Sequence, residues 1–198
     1  MPRLIMKRAM LLWGVVAIGL SAGTAQAQTT VVEPVGSHFP YQRWIDESEV
    51  PTPDVTVSVI ETEPGNGCPG DERTTNIEAC TIIPERVIWV AVPDQPNATP
   101  RAAFMHEIGH YFDAEDMPEW AREHFDSIYD LGGPWLLPES GQVTAGEWFA
   151  EAYAQCSVKA YVVSGEVWKL GVGPIEGSAP LLGMRVAHNK ACRMLRNL

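Results

Sequence analysis

The chain has 198 residues and a formal net charge of −11. Three of its 14 basic residues and none of its 25 acidic residues fall within the first 27, which leaves −14 for residues 28–198. Such an acidic surface would repel a phosphate backbone and excludes nucleic acid as a partner, while the remaining length suits one domain with a sizeable core. We expect that domain to be a monomer.

The first 27 residues predict a secretory signal peptide. They combine a basic start, the apolar run MLLWGVVAIGL and a small-x-small site at Ala25–Ala27, so we expect cleavage after Ala27 and a secreted protein. The alternative is an uncleaved membrane anchor. It is disfavoured because the apolar run is shorter than the stretch of about 20 residues that spans a bilayer, and no later segment is apolar enough to do so.

The next part of the chain predicts an arm followed by two strands. Residues 28–53 contain scattered apolar residues and several prolines, which predicts an extended arm packed on a domain formed by residues 54–198. In VTVSVIE, which begins at Val55, valines alternate with other residues as in a half-buried strand. A more apolar strand is predicted for RVIWVAV (residues 86–92), and we expect it at the rim of a substrate cleft, where an extended peptide could pair with it.

Four cysteines lie after the predicted cleavage site, and none forms a C-x-x-C pair. Their even number in an exported chain predicts two disulfides, with free buried thiols as the alternative. Of the three possible pairings, we favour Cys68 with Cys80, which closes the loop CPGDERTTNIEAC. The other disulfide would then join Cys156 to Cys192 across two late helices.

The segment FMHEIGHYFDAED predicts a zinc-binding helix, with Thr99 as its N-cap and Pro100 in its first turn. His106 and His110 are four residues apart, so both imidazoles project from one face and can bind one cation. Glu107 is offset from them around the helix, where its carboxylate can take a proton from a metal-bound water. The alternative is an amphipathic helix with two exposed histidines.

A catalytic zinc needs a third protein ligand, and three carboxylates are candidates. Asp113 follows His110 on the same helical stripe, which suits support of a ligand histidine better than closure of a tetrahedron. Asp116 would reproduce the metzincin spacing, but Asp113 stands where that pattern has a glycine for the turn. Glu147 belongs to a second predicted helix that starts at Thr144, where TAGE also reads as a capping box.

HEIGHYFD followed by EWFAEAYA resembles the gluzincin metallopeptidases, most closely the catalytic domains of anthrax lethal factor and the Pro-Pro endopeptidases. The resemblance covers residues 102–155. It implies that His106, His110 and Glu147 bind one zinc ion, that Glu151 supports a ligand and that Glu107 is the general base. The tyrosine that precedes the third ligand in that family is absent, and Ser140 lies near its place. Other polar residues on predicted helices, which we interpret as packing or surface residues, are His124, Tyr129, Tyr153 and His188.

The sequence therefore predicts an α+β zincin-like domain with a small twisted sheet, an active-site helix and a mostly helical C-terminal half. The expected activity is zinc-dependent hydrolysis of peptide bonds, with a peptide or protein as substrate. Two other functions stay open: a secreted zinc-binding interaction module without catalysis, and a purely structural secreted domain.

Overall fold

The computed structural model describes residues 28–63, 78–93, 100–135, 144–157 and 181–198. Within these ranges, four strands and five α-helices form a mixed α+β structure, which confirms the predicted class. No helix in the same ranges is long and apolar enough to cross a membrane. The predicted signal peptide, the cysteine at position 68 and the predicted N-cap Thr99 lie outside the described residues.

The sheet has the strand order β1-β2-β4-β3. Strands β1 (Thr30–Val32), β2 (Thr56–Thr62) and β4 (Val87–Ala91) run parallel, and β3 (Ala79–Ile82) is antiparallel to β4. The alternation seen in the sequence describes β2 correctly, because Val57 and Val59 are buried whereas Ile60 points to solvent. Parallel strands next to helices place this sheet against the helical half of the molecule.

The prediction that RVIWVAV lies at the cleft rim is wrong. Strand β4 pairs with β2 on one side, from Ser58 opposite Val87 to Thr62 opposite Ala91, and with β3 on the other. Its backbone hydrogen-bonding groups are therefore used on both edges. Among the described residues the edge position next to β4 belongs to β3, a strand that the sequence did not predict.

The extended arm predicted for residues 28–53 is also wrong. Its first residues form β1, which joins the sheet at the edge beside β2. Its later residues form helix α1 (Tyr41–Asp46), which buries Tyr41, Trp44 and Ile45. The ring of Tyr41 lies 5.0 Å from that of Phe104 on the next helix. This segment is thus part of the hydrophobic core rather than a cover laid over it.

Four further helices build the other half. They are α2 (Arg101–Glu115), α3 (Glu119–Tyr129), α4 (Ala145–Cys156) and α5 (Leu181–Leu195). Helix α2 buries Phe104, Ile108, Tyr111 and Phe112, the spacing of one helical face, and packs on β3, β4 and α4. It begins after Pro100, which occupies the N-cap position without a side-chain hydrogen bond.

The close contact between α2 and α4 is made at a glycine. The Cβ atom of an alanine at position 109 would lie 3.0 Å from the Cα of Ala150, so only glycine lets the two backbones approach this far. A disulfide between Cys156 and Cys192, as predicted, then ties the end of α4 to α5. Cys80 is also in a disulfide, and its predicted partner at position 68 lies outside the described residues.

Candidate metal centre

His106 and His110 lie one turn apart on α2 and face the same way. Their Nε2 atoms are 3.2 Å apart, and each side chain is less than one-fifth exposed, at 14 % and 18 %. The spacing of four residues accounts for this arrangement, since 3.6 residues make one helical turn. Two ring nitrogens therefore meet at one point on a partly buried helix face.

Glu147 reaches the same point from α4. Its Oε2 atom lies 3.2 Å from Nε2 of His106, and its Oε1 atom lies 3.5 Å from Nε2 of His110. Of the predicted capping box, the structure contains the hydrogen bond that the Thr144 hydroxyl accepts from the backbone N–H of Glu147 at 3.2 Å. The carboxylate of Glu147, which would complete the box, lies at the two histidines instead.

The spacing of the three donor groups fits a tetrahedral zinc site. Zinc binds imidazole nitrogen and carboxylate oxygen at about 2.0–2.2 Å, which places tetrahedral ligands about 3.3–3.6 Å from one another. The nearest-atom separations of 3.2, 3.2 and 3.5 Å lie close to that range, with a different oxygen of Glu147 nearest to each histidine. The three donor groups come from His106, His110 and Glu147 and lie within 4.8 Å of one another.

Glu151 lies one turn after Glu147, behind the first histidine. Its Oε2 atom is 3.5 Å from Nδ1 of His106, and its Oε1 atom accepts a hydrogen bond from the Gln155 amide at 2.8 Å. A carboxylate at this position favours a proton on Nδ1 of His106, which leaves the lone pair of Nε2 directed at Glu147 and His110. This is the support that metal-binding histidines usually have.

The electrostatics of the cluster favour a positive charge at its centre. Burial opposes protonation of His106, but hydrogen bonds to Glu147 and Glu151 outweigh it and raise the pKa of His106 to about 10. The hydrogen bonds from His106 and His110 hold the pKa of Glu147 far below its usual range. Two carboxylates thus stabilise a cation at the imidazoles, and a divalent metal ion is the cation that three such ligands prefer.

Glu107 is buried beside this cluster. The residue is 6 % exposed, and its carboxylate has no hydrogen bond or ion pair within the part of the chain that the structure describes. Burial raises the pKa of Glu107, against the opposing charges of His106 and His110. A carboxylate without a fixed partner and with a raised pKa is suited to accept and release a proton.

The structure does not support the role predicted for Asp113, and it places the less favoured ligand candidate Asp116 on another partner. Asp113 was expected to support a ligand histidine, but its Oδ1 atom accepts from Arg122 Nε and its Oδ2 atom accepts from Trp135 Nε1, both at 2.8 Å. The carboxylate of Asp113 is therefore bound by one donor on α3 and one donor after α3, and not by the histidines. Asp116 lies at the end of α2, where its carboxylate accepts the backbone N–H of Asp54 at 3.0 Å.

The other polar residues named from the sequence are not part of the cluster. His124 is exposed, Tyr129 packs against Phe125 and Trp148, and the hydroxyl of Tyr153 donates to the Pro51 carbonyl at 2.7 Å. His188 lies 3.4 Å from the sulfur of Cys192. A metal site at that histidine is excluded in this state, since both neighbouring sulfurs form the disulfide.

Sequence reasoning missed Arg122 and Trp135, which hold Asp113. These residues lie nine and 22 positions after Asp113, so no helical or strand period connects them. The only available signal was an acid on the stripe of α2 that carries the histidines, because an acid buried there would need donors from elsewhere.

Comparison with known proteins gives no further assignment. No protein-family model, curated protein or solved structure matches this chain.

Proposed function

We propose that this chain is a secreted zinc-dependent metallopeptidase that resembles the gluzincins. The observation that carries the proposal is the convergence of His106 Nε2, His110 Nε2 and the Glu147 carboxylate at separations suited to one zinc ion. The ligands come from two helices packed at Gly109, and the buried carboxylate of Glu107, which has no hydrogen bond or ion pair among the described residues, would act as the general base. The predicted signal peptide and the Cys156–Cys192 disulfide support an exported protein.

His106, His110 and Glu147 would hold the zinc ion, which supplies a Lewis acid that polarises the scissile carbonyl and makes water acidic. Glu107 is the group in this chain that moves the proton. Its carboxylate takes a proton from the attacking water and then gives it to the leaving amine. Burial of Glu107 raises its pKa, which strengthens it as a base and prepares its acid form for the second step.

An extended peptide substrate could pair with an edge strand of the sheet. Among the described residues the edge strands are β1 and β3, and α2, the helix that carries His106 and His110, packs directly against β3. Backbone pairing along such an edge orients a peptide independently of its side chains. We therefore assign to β3 the substrate-orienting role that the sequence had suggested for β4.

The decisive test is metal analysis of the mature protein, followed by a peptide-library assay of wild type and Glu107→Gln. We expect about one zinc per chain in both proteins. Activity should fall by several orders of magnitude in the variant because an amide cannot accept the proton. Wild-type protein without zinc would refute the proposal, as would turnover that survives both the substitution and chelation. Zinc without turnover on any peptide would support the interaction module instead.

A further inference from the structure

The side chain of Asp113 links the zinc helix to the segment that precedes α4. Asp113 is 3 % exposed, and its carboxylate accepts hydrogen bonds from Arg122 Nε and Trp135 Nε1 at 2.8 Å each. Arg122 also donates to the backbone carbonyl of Asp113. A buried carboxylate with strong donors on both oxygens is held firmly in position, because loss of either donor would leave a buried charge without enough hydrogen bonds.

The backbone at Trp135, whose indole donates to Asp113, is hydrogen-bonded to the start of α4. The carbonyl of Trp135 accepts the backbone N–H of Gly146 at 3.0 Å, and the carbonyl of Pro134 accepts that of Ala145 at 3.3 Å. These two N–H groups belong to the first turn of α4, which has no partners for them within the helix. Glu147 is the next residue along the chain.

We propose that Asp113 and Trp135 are positioning residues, which fix the Glu147 carboxylate at the two histidines. The path starts at Asp113, three residues after His110, passes through the Trp135 side chain and carbonyl to Gly146, and returns to α2 at Glu147. The position of Glu147, the third ligand, is thereby fixed relative to α2, the helix that carries His106 and His110. This role rests on the metal centre proposed above.

Two further contacts make Trp135 suited to this role. Its ring lies 6.1 Å from the rings of both Phe125 and Phe149, so it is packed between α3 and α4. Phe149 follows Glu147 by two residues. The indole hydrogen bond and these two ring contacts therefore hold the side chain of the same residue whose backbone carbonyl accepts the N–H of Gly146.

The test compares Trp135→Phe with Trp44→Phe in the mature protein. The first substitution removes the indole N–H and keeps an aromatic ring. The second makes the same change at Trp44, a core tryptophan on α1 that packs against Phe104 at 5.9 Å. Zinc affinity is measured by competition with a chromogenic chelator. We expect Trp135→Phe to weaken zinc about tenfold, the lower end of the effect of removing outer support, and Trp44→Phe to leave it within about twofold.

A metal-free readout separates this proposal from the proposed function. In protein without zinc, hydrogen exchange at the Gly146 amide should become about tenfold faster in Trp135→Phe, while the amides of Ala152 and Tyr153 in the middle of α4 keep their wild-type rates. Faster exchange at Gly146 in a protein that binds no zinc would support the positioning path and defeat the metallopeptidase.

Three outcomes would overturn the positioning role. Wild-type exchange at Gly146 in Trp135→Phe would show that the indole does not hold the start of α4. Equal loss of zinc affinity in Trp44→Phe would show that general destabilisation explains the effect. A tenfold effect of Trp135→Phe that persists in a Glu147→Ala background would show that it does not act through Glu147.

Discussion

Replacement of Gly109 by alanine should damage the metal centre without touching a ligand. Gly109 lies on α2 immediately before His110 and faces the backbone of α4 at Ala150. The new Cβ would lie 3.0 Å from the Cα of Ala150, 3.3 Å from its carbonyl oxygen and 3.2 Å from the Cβ of Tyr153. Two of these three atoms are backbone, so relief of the contact requires movement of the α4 backbone that also carries Glu147.

Carbon atoms pack at about 3.5–4.0 Å, so α4 must withdraw by roughly 0.5–1.0 Å. A zinc site needs its distances held to about 0.2 Å, and we therefore expect zinc affinity to fall on the order of tenfold or more. The fold should suffer less. Overpacking costs about 1–3 kcal/mol, while alanine regains about 1 kcal/mol over glycine within a helix.

The assay pairs chelator competition with thermal unfolding of metal-free protein. The net cost of about 0–2 kcal/mol corresponds to a Tm fall of at most roughly 8 °C for a chain of this size. Gly133→Ala is the matched control, because the atom nearest to its new Cβ is the Leu131 carbonyl oxygen at an ordinary 3.7 Å. Wild-type zinc affinity together with an increased Tm in Gly109→Ala would show that the contact with Ala150 does not hold Glu147 in place.

Two further predictions concern Glu151 and pH. Glu151→Ala should weaken zinc binding about 10–100-fold by removing the carboxylate behind His106, whereas Asp116→Ala should leave zinc affinity nearly unchanged. Chelator competition measures both affinities, and a larger loss in Asp116→Ala than in Glu151→Ala would contradict the prediction. Since carboxylates raise the pKa of His106 to about 10 in metal-free protein, zinc must displace its proton, and affinity measured from pH 6 to 9 should rise about tenfold per pH unit. The interactions of protonated His106 with its carboxylates also stabilise the metal-free fold. This stabilisation is fully present below pH 6.5 and is lost as pH rises through about 10. A flat affinity profile would contradict this view of His106.

The parts of the site that sequence could predict are those with a short period or a short signal. The four-residue spacing of His106 and His110 fixes their common face on any helix. Thr144 followed by Glu147 marks the start of α4, and the structure contains that cap. Alternation in VTVSVIE likewise defined β2, whose inward side chains Val57 and Val59 are buried. Each of these three features depends on residues that lie close together in the sequence.

The parts that sequence missed depend on contacts between distant segments. Strand β1 has three residues and α1 has six, which is too short for a period to be recognised. The place of β4 inside the sheet follows from the strand order β1-β2-β4-β3, in which β4 lies between β2 and β3. Asp113 was assigned to the histidines because Trp135, its actual partner, approaches from 22 residues away. Tertiary packing decides all three.

Anomalous diffraction at the zinc edge, from crystals of the mature protein, would show whether His106, His110 and Glu147 hold one zinc ion. We expect one anomalous peak bonded to Nε2 of both histidines and to the Glu147 carboxylate, at about 2.0–2.2 Å. A peak on Asp116 with Glu147 turned away, or no peak after incubation with zinc, would contradict this expectation.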